Sequence, residues 1–343
     1  MGRNLGPARR LMRLATYNVE WFDALFDNAG RVLADDAWSA RYKVTRAQQA
    51  EALGKVFTAI DADAVMVIEA PDTNSRRDTS RALRAFAAAF DLRTTEVLTG
   101  FANETQQEIA LMYDPARLSA RHAPLQSAVA PRFDGVFRID LDIDATEDRV
   151  TFSKPPLEVR IDTTTGRTVR LIGAHLKSKA PHGARGHDQI MRMAIANRRK
   201  QLAQAIWLRR RVDALLEAGE DVVVLGDLND GPGLDEYENL FGRSSVEIVL
   251  GEGARALSDP HAARALLPGL APQPSTARFF LKDVGRYMQF MLDYAMVSAG
   301  VAGGASWRIW HPFDDPGCWH CPDLREALLL ASDHFPVTVD LDL

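Results

Sequence analysis

Short apolar runs recur along the chain, and many stop at a polar side chain. Leu14-Ala15-Thr16-Tyr17 ends at Asn18, and Ala64-Val65-Met66-Val67-Ile68 ends at Glu69. Val169-Arg170-Leu171-Ile172-Gly173-Ala174 ends at His175, and Val222-Val223-Val224-Leu225 runs into Gly226-Asp227-Leu228-Asn229. These lengths and the β-branched content predict strands. Further strands are predicted at 95–100, 107–113, 117–122, 137–143, 157–161, 277–282, 288–298, 306–311 and 335–342. Thr163-Thr164-Thr165-Gly166 has the composition of a hairpin turn.

Helical spacing appears in three stretches. Ala47, Ala50, Leu53, Val56, Phe57 and Ile60 make an apolar stripe over 43–60. Residues 78–90 are alanine-rich, and 188–218 carry the longest helical pattern. Residues 231–275 are rich in Gly, Pro and Ala and are read as loops with short helices. Some strands are separated by helices and others by tight turns. That mixture predicts an α/β fold with two stacked, mixed and mostly antiparallel sheets and helices outside.

Bulk properties add limits. At 343 residues, 46% hydrophobic and 25% charged, the chain has material for one large core. We read a flexible leader over residues 1–11 and a single domain over 12–343. The basic N-terminus lacks a secretory apolar run, and no stretch approaches the ~20 apolar residues of a membrane span, so a cytoplasmic protein is expected. The net charge of −5 argues against a basic surface over the whole molecule. The only cysteines, Cys318 and Cys321, exclude a disulfide framework and are read as reduced thiols in a loop. No protein partner is inferable.

The strand ends carry the candidate chemistry: Asn18, Glu69, His175, Asp227 with Asn229, Asp293, and Asp333 with His334. One such residue is commonly a turn or cap, but six aligned cases point to a shared site on rigid elements. Carboxylates, amides and imidazoles brought together can hold a hard cation, orient water and receive a proton.

Six segments also carry a family resemblance, in register from Thr16 to Val339: Thr16-Tyr17-Asn18-Val19-Glu20, Val67-Ile68-Glu69, Gly173 to Lys179, Gly226 to Asn229, Leu292-Asp293-Tyr294, and Ser332 to Val337. The chain resembles the endonuclease/exonuclease/phosphatase superfamily, which includes deoxyribonuclease I, exonuclease III, sphingomyelinases and inositol polyphosphate 5-phosphatases. It departs from the pattern at Ile68, where such families usually carry Gln. The His175-Leu176-Lys177-Ser178-Lys179 segment is closest to bacterial nuclease-like members.

The resemblance implies a four-layer α/β/β/α sandwich and a Mg²⁺- or Mn²⁺-dependent hydrolase acting on ester bonds. It makes Glu69 the principal metal ligand, with Asn18 and Asp333 as further ligands and Glu20 acting through water. His334 is expected on the scissile phosphate, with Asp293 behind its other nitrogen. Either His334 or Asp227 takes the proton from water. Asn229 holds phosphate or water, and His175 faces the phosphate from the opposite side. Lys177 and Lys179 are expected on substrate phosphate.

Between Lys177 and Arg211 there are ten Lys/Arg and one acid, Asp188. Lys177 to Arg185 are read as tracking phosphate, and Arg209–Arg211 as a solvated helix face. Arg278, Phe279, Phe280, Lys282, Arg286, Tyr287 and Phe290 interleave cations and rings; core packing is preferred there over a stacking surface. Trp307, Trp310, His311, Trp319 and His320 are read as a long loop leading to Asp333. A nuclease acting on DNA or RNA is the leading expectation, and a phosphatase or phosphodiesterase of a small molecule or lipid headgroup is the alternative.

Overall fold

The computed structural model describes residues 11–103, 105, 107–141, 147–181, 183, 185–231, 242–267, 273–281 and 285–343. Residues 1–10 of the expected leader, and Lys282, lie outside them.

In chain order the elements are β1 (Met12–Asn18), α1 (Arg46–Ile60), β2 (Ala64–Pro71), α2 (Thr79–Ala89), β3 (Glu96–Thr99), β4 (Gln107–Tyr113), β5 (Leu118–His122), β6 (Phe137–Ile139) and β7 (Asp148–Val150). There follow β8 (Leu157–Thr163), β9 (Thr168–His175), α3 (His187–Glu217), β10 (Val222–Asp227), α4 (Ser245–Leu250), α5 (Pro260–Leu266), β11 (Ala277–Leu281) and β12 (Arg286–Phe290). The last are β13 (Asp293–Val297), α6 (Ala299–Ala302), β14 (Ser306–Ile309), α7 (Pro316–Trp319), α8 (Pro322–Ala331) and β15 (Val337–Leu341).

Two sheets dominate, in orders β14-β15-β1-β2-β4-β3 and β13-β10-β9-β8-β5. Each holds a single parallel pair, β1 with β2 and β9 with β10; the other neighbours are antiparallel. Alternation along the strands sorts the core into layers. Met66, Ile68, Leu171, Val223 and Leu225 point between the sheets. Val65 and Val67 turn outward beneath α1, α2 and α8, with Leu53, Phe57, Phe86 and Leu328. Val222, Val224 and Ile172 turn outward beneath α3 and α4, with Trp207, Leu208 and Val246. Both strand faces are therefore dry, which is why these strands read as continuous apolar runs. The four-layer α/β/β/α sandwich is the observed architecture.

Local chemistry fixes the ends of α1. Thr45 and Gln48 form a reciprocal capping box, and Asp61 closes the helix in the left-handed region. Two sequence readings need correction. The strand expected over 288–298 is two strands, because the Thr276 hydroxyl accepts the N–H groups of Leu292 and Asp293, both at 2.9 Å, and takes them out of a continuous ladder. The loop expected before Asp333 contains α7 and α8. Pro322 opens α8, and Ala327, Leu328 and Ala331 pack at helical spacing into the α1 layer.

Among the described residues no helix is long and apolar enough to cross a membrane. Cys318 is buried, Cys321 is exposed, and both thiols are free.

Candidate active site

The two parallel pairs end at one place. Asn18 closes β1, and Glu69 lies near the end of β2. His175 closes β9, and Asp227 closes β10. Register sets His175 beside Asp227, and Asp227 beside Asp293 at the start of β13. His334 arrives from the segment before β15 and bridges to Ala277. All but the buried Asp293 line one cavity of about 850 Å³, together with Glu20, Lys177, Lys179, Asn229 and Asp333. Asp293 stands behind the cavity wall, on His334.

Backbone geometry aims two of these side chains. The β2–β4 register shifts between Ile68 and Ala70, and Glu69 sits in that bulge with φ 63°. Asn229 has φ 52°. Asn enters this region readily, whereas Glu does so sparingly, so the Glu69 conformation is one its surroundings must impose. Gly226 lets β9 and β10 close up: a Cβ there would lie 2.0 Å from the Ala174 carbonyl oxygen.

Asp227 is tightly held. Its Oδ1 accepts the Asn229 backbone N–H at 2.7 Å, and its Oδ2 accepts the Asn18 amide at 3.0 Å. Burial, reinforced by the nearby Asp293 charge, raises its carboxyl to about 7. Asn229 also donates to the Leu176 carbonyl at 3.0 Å.

His334 Nδ1 lies 2.7 Å from Asp293 Oδ2. Burial opposes charge on this ring, yet the Asp293 carboxylate overcomes it and holds the imidazole well above its ordinary value. His175 goes the other way: burial, with help from the Lys154 ammonium, drives it well below. An ammonium only donates, so Lys154 Nζ at 3.2 Å makes His175 Nδ1 the acceptor and leaves the proton on Nε2. That nitrogen is 3.7 Å from Asp227 Oδ2 and 3.9 Å from Glu69 Oε1.

Lys154 and Gln107 escaped the sequence reading. Gln107 donates to Glu69 and accepts from Lys154, linking Glu69 to His175 through two intervening side chains. The one sequence signal is a lysine directly ahead of Pro155-Pro156, at the opening of a predicted strand. Burial lowers the Lys154 pKa and raises that of Glu69.

The oxygen donors fit a hard cation. The Asn18 amide nitrogen donates to Asp227, while its Oδ1 is buried without a hydrogen bond. Asp333 Oδ1 is likewise without one, and burial raises this carboxyl to about 7. Glu20 is ion-paired with Arg41 and accepts the Trp21 indole N–H at 3.1 Å. A second grouping, Asp227, Asp293 and His334, offers three atoms within 4.8 Å of one another. There the carboxylates favour a charged imidazolium, which is a poor partner for a cation.

The basic segment divides. Lys177 lines the cavity, Lys179 also lines it with its ammonium on Asp230, and Arg185 is exposed. Arg209 and Arg211 are structural and not a solvated face: Arg211 pairs with buried Glu158 at 2.6 Å, and Arg209 binds the Val249 and Leu250 carbonyls. The segment expected as aromatic core is also different. β11 and β12 form a separate two-stranded ribbon with Phe279 and Phe290 on the cavity side. Phe280 and Tyr287 are each 52% exposed.

No match is found among curated proteins. Selenomethionine TDP2 from Caenorhabditis elegans is 14% identical, covering 96% of this chain and 74% of that one, with a TM-score of 0.50. Truncated C. elegans TDP2 is also 14% identical, covering 96% of this chain and 97% of that one, at the same TM-score. An endonuclease/exonuclease/phosphatase family protein from Bacteroides thetaiotaomicron is 15% identical, covering 97% and 98%, with a TM-score of 0.49. At such identity the likeness to the two TDP2 structures concerns the fold alone. A sequence model of the "Endonuclease/Exonuclease/phosphatase family" matches residues 15–334. The chain belongs to that family, whose members hydrolyse phosphoester bonds with the help of a divalent metal.

Proposed function

We propose that the protein is a Mg²⁺- or Mn²⁺-dependent nuclease that hydrolyses DNA or RNA phosphodiesters by in-line attack of water. The observation that carries the reading is the meeting, in one cavity, of a set of oxygen donors and a pair of imidazoles. Asn18, Glu69 and Asp333 form the first, and His175 and His334 the second, with Asp227 between them.

Glu69, Asn18 Oδ1 and Asp333 would hold the metal, with Glu20 reaching it through water. When bound, the ion supplies charge neutralisation for the phosphate and polarises the P–O bond. The chain's own groups do the rest. Asp227, raised to about 7, accepts the proton of the attacking water near neutrality. His334 is already charged, so it donates a hydrogen bond to a phosphate oxygen and does not act as the base. His175 enters neutral and presents Nε2–H to the phosphate or the leaving oxygen. Lys154 fixes that tautomer, Asn229 positions Asp227, and Lys177 adds positive charge at the rim. Lys179, tied to Asp230, acts on phosphate less directly than the sequence implied.

One observation favours a second reading, a phosphatase or phosphodiesterase of small esters: a cavity of about 850 Å³ falls within the range for small-molecule sites. A panel assay separates the two, using single- and double-stranded DNA, RNA, abasic DNA and phosphorylated small molecules, each with and without EDTA. EDTA-sensitive cleavage of polymer is expected. Turnover of small esters alone selects the second reading, and EDTA-resistant turnover removes the metal from both.

A further inference from the structure

The far face of the β11–β12 ribbon carries a row of rings and guanidinium groups that the proposed chemistry leaves unused. Phe280 packs edge-on against Tyr287, with centroids 5.2 Å apart. Arg278 lies 3.7 Å from the Tyr287 ring and 5.5 Å from the Phe313 ring. Phe313 is 6.4 Å from Trp319, and Arg325 lies 4.8 Å from the Trp319 ring. The row thus runs from the ribbon across the segment before α7 to the first turns of α8.

Three features set it apart from ordinary surface. Its rings are open to solvent, Phe313 at 38% and Trp319 at 46%. Its two arginines lie over rings and, among the described residues, form no salt bridge, whereas Arg13, Arg41, Arg93, Arg170 and Arg308 all pair with carboxylates. The row also begins at the site: the Arg278 N–H donates to the Asp333 carbonyl at 2.8 Å. The neighbouring Phe279 faces the cavity and stands 5.5 Å from the His334 ring, edge to face.

We infer that Tyr287, Phe313 and Trp319, with Arg278 and Arg325 between them, form a track for single-stranded nucleic acid leading away from the cavity. This rests on the nuclease reading above. Flat rings stack on unpaired bases whatever their sequence, and guanidinium groups answer the phosphates. A duplex hides its base faces and cannot use such a track. Trp, Tyr and Arg also mark protein interfaces. The row contains no aliphatic side chain, and its two arginines lie over rings and not in salt bridges among the described residues, which favours a polyanion with planar groups.

The test uses the full chain in EDTA and labelled oligothymidylate long enough to leave the cavity, beside a dinucleotide and a duplex, followed by fluorescence anisotropy. Combined Tyr287→Ala, Phe313→Ala and Trp319→Ala substitutions are expected to weaken long-strand binding about a hundredfold. Dinucleotide and duplex binding change little, and metal-dependent hydrolysis of bis-p-nitrophenyl phosphate is unchanged. Arg278→Ala and Arg325→Ala each lower the slope of log affinity against log salt by about 0.7. Unchanged long-strand affinity, or an equal loss on duplex, overturns the track, and in a wild type that still cleaves DNA the nuclease reading survives. A wild type that binds no oligonucleotide yet hydrolyses small esters overturns both.

Discussion

Asp293 Oδ2 and His334 Nδ1 meet at 2.7 Å across the seam between the two sheets. Asp293 begins a strand of the second sheet, and His334 stands just ahead of β15 in the first. The contact therefore closes the site and charges the imidazole together. The same Asp293 charge raises Asp227. Asp293→Asn is expected to lower turnover by about 10²- to 10⁴-fold. It also removes the charge that raises both partners, so both limbs of the pH–rate profile move toward acid. A profile that keeps its position while activity falls would place the role of Asp293 elsewhere.

Metal-free stability should depend on pH through Asp227. Its folded-state value, about 7, lies above the ordinary Asp value of about 3.9. Between those two values the unfolded chain releases a proton that the folded chain keeps. Stability from this group is therefore full at low pH, falls as pH rises through that window, and is gone above about 7. Asp227→Asn is expected to be inactive yet more resistant to urea than wild type at pH about 8 without metal. Equal unfolding midpoints there would refute the burial cost assigned to this carboxylate.

Lys154 is expected to matter more than Lys177. Lys154→Met removes both the partner of His175 Nδ1 and a buried positive charge, and should lower kcat/KM by about 10²-fold. Lys154→Arg should recover part of it. Lys177→Ala should cost less and depend on salt. Steady-state kinetics on one substrate decides; a larger loss at Lys177 would reverse the ranking.

Gly226→Ala tests the scaffold and not the chemistry. The added Cβ would lie 2.0 Å from the Ala174 carbonyl oxygen, at a residue with φ 143°. We expect a loss of about 3 kcal/mol or more, with turnover falling because Asp227 and His175 flank the disturbed contact. Wild-type stability in urea denaturation would show that β9 and β10 can part without cost.

The strand ends were legible because a dry strand that stops at an ionisable group leaves an unmistakable change of polarity, as at Leu225-Gly226-Asp227. Parallel pairing of β1 with β2 and of β9 with β10 was not, since periodicity carries no information on which strands become neighbours; that their ends share one site was expected from the repeated change of polarity and not from any pairing. Lys154 follows Thr151-Phe152-Ser153, a stretch without helical or strand period, so its place ahead of Pro155-Pro156 was the single local mark and did not by itself point to the site. Gln107 opens a strand and points at Glu69 only through the β2–β4 register. The interleaved rings and cations of the ribbon read as core because alternation reports two faces and not what covers them. α8 was missed because Cys321-Pro322 looked like loop, although a proline at the first helical position needs no N–H partner.

Glu69 projects from the bulge, where the β2–β4 ladder skips a residue. Its backbone, at φ 63°, stands outside the regular pairing on either side. Asp227 is by contrast a member of the regular ladder, opposite Asp293 and beside His175. Of the two carboxylates, only Asp227 is aimed by regular strand pairing; Glu69 owes its direction to a left-handed backbone that its surroundings impose, so a disturbance anywhere in that bulge re-aims it while the ladders of the sandwich stay as they are.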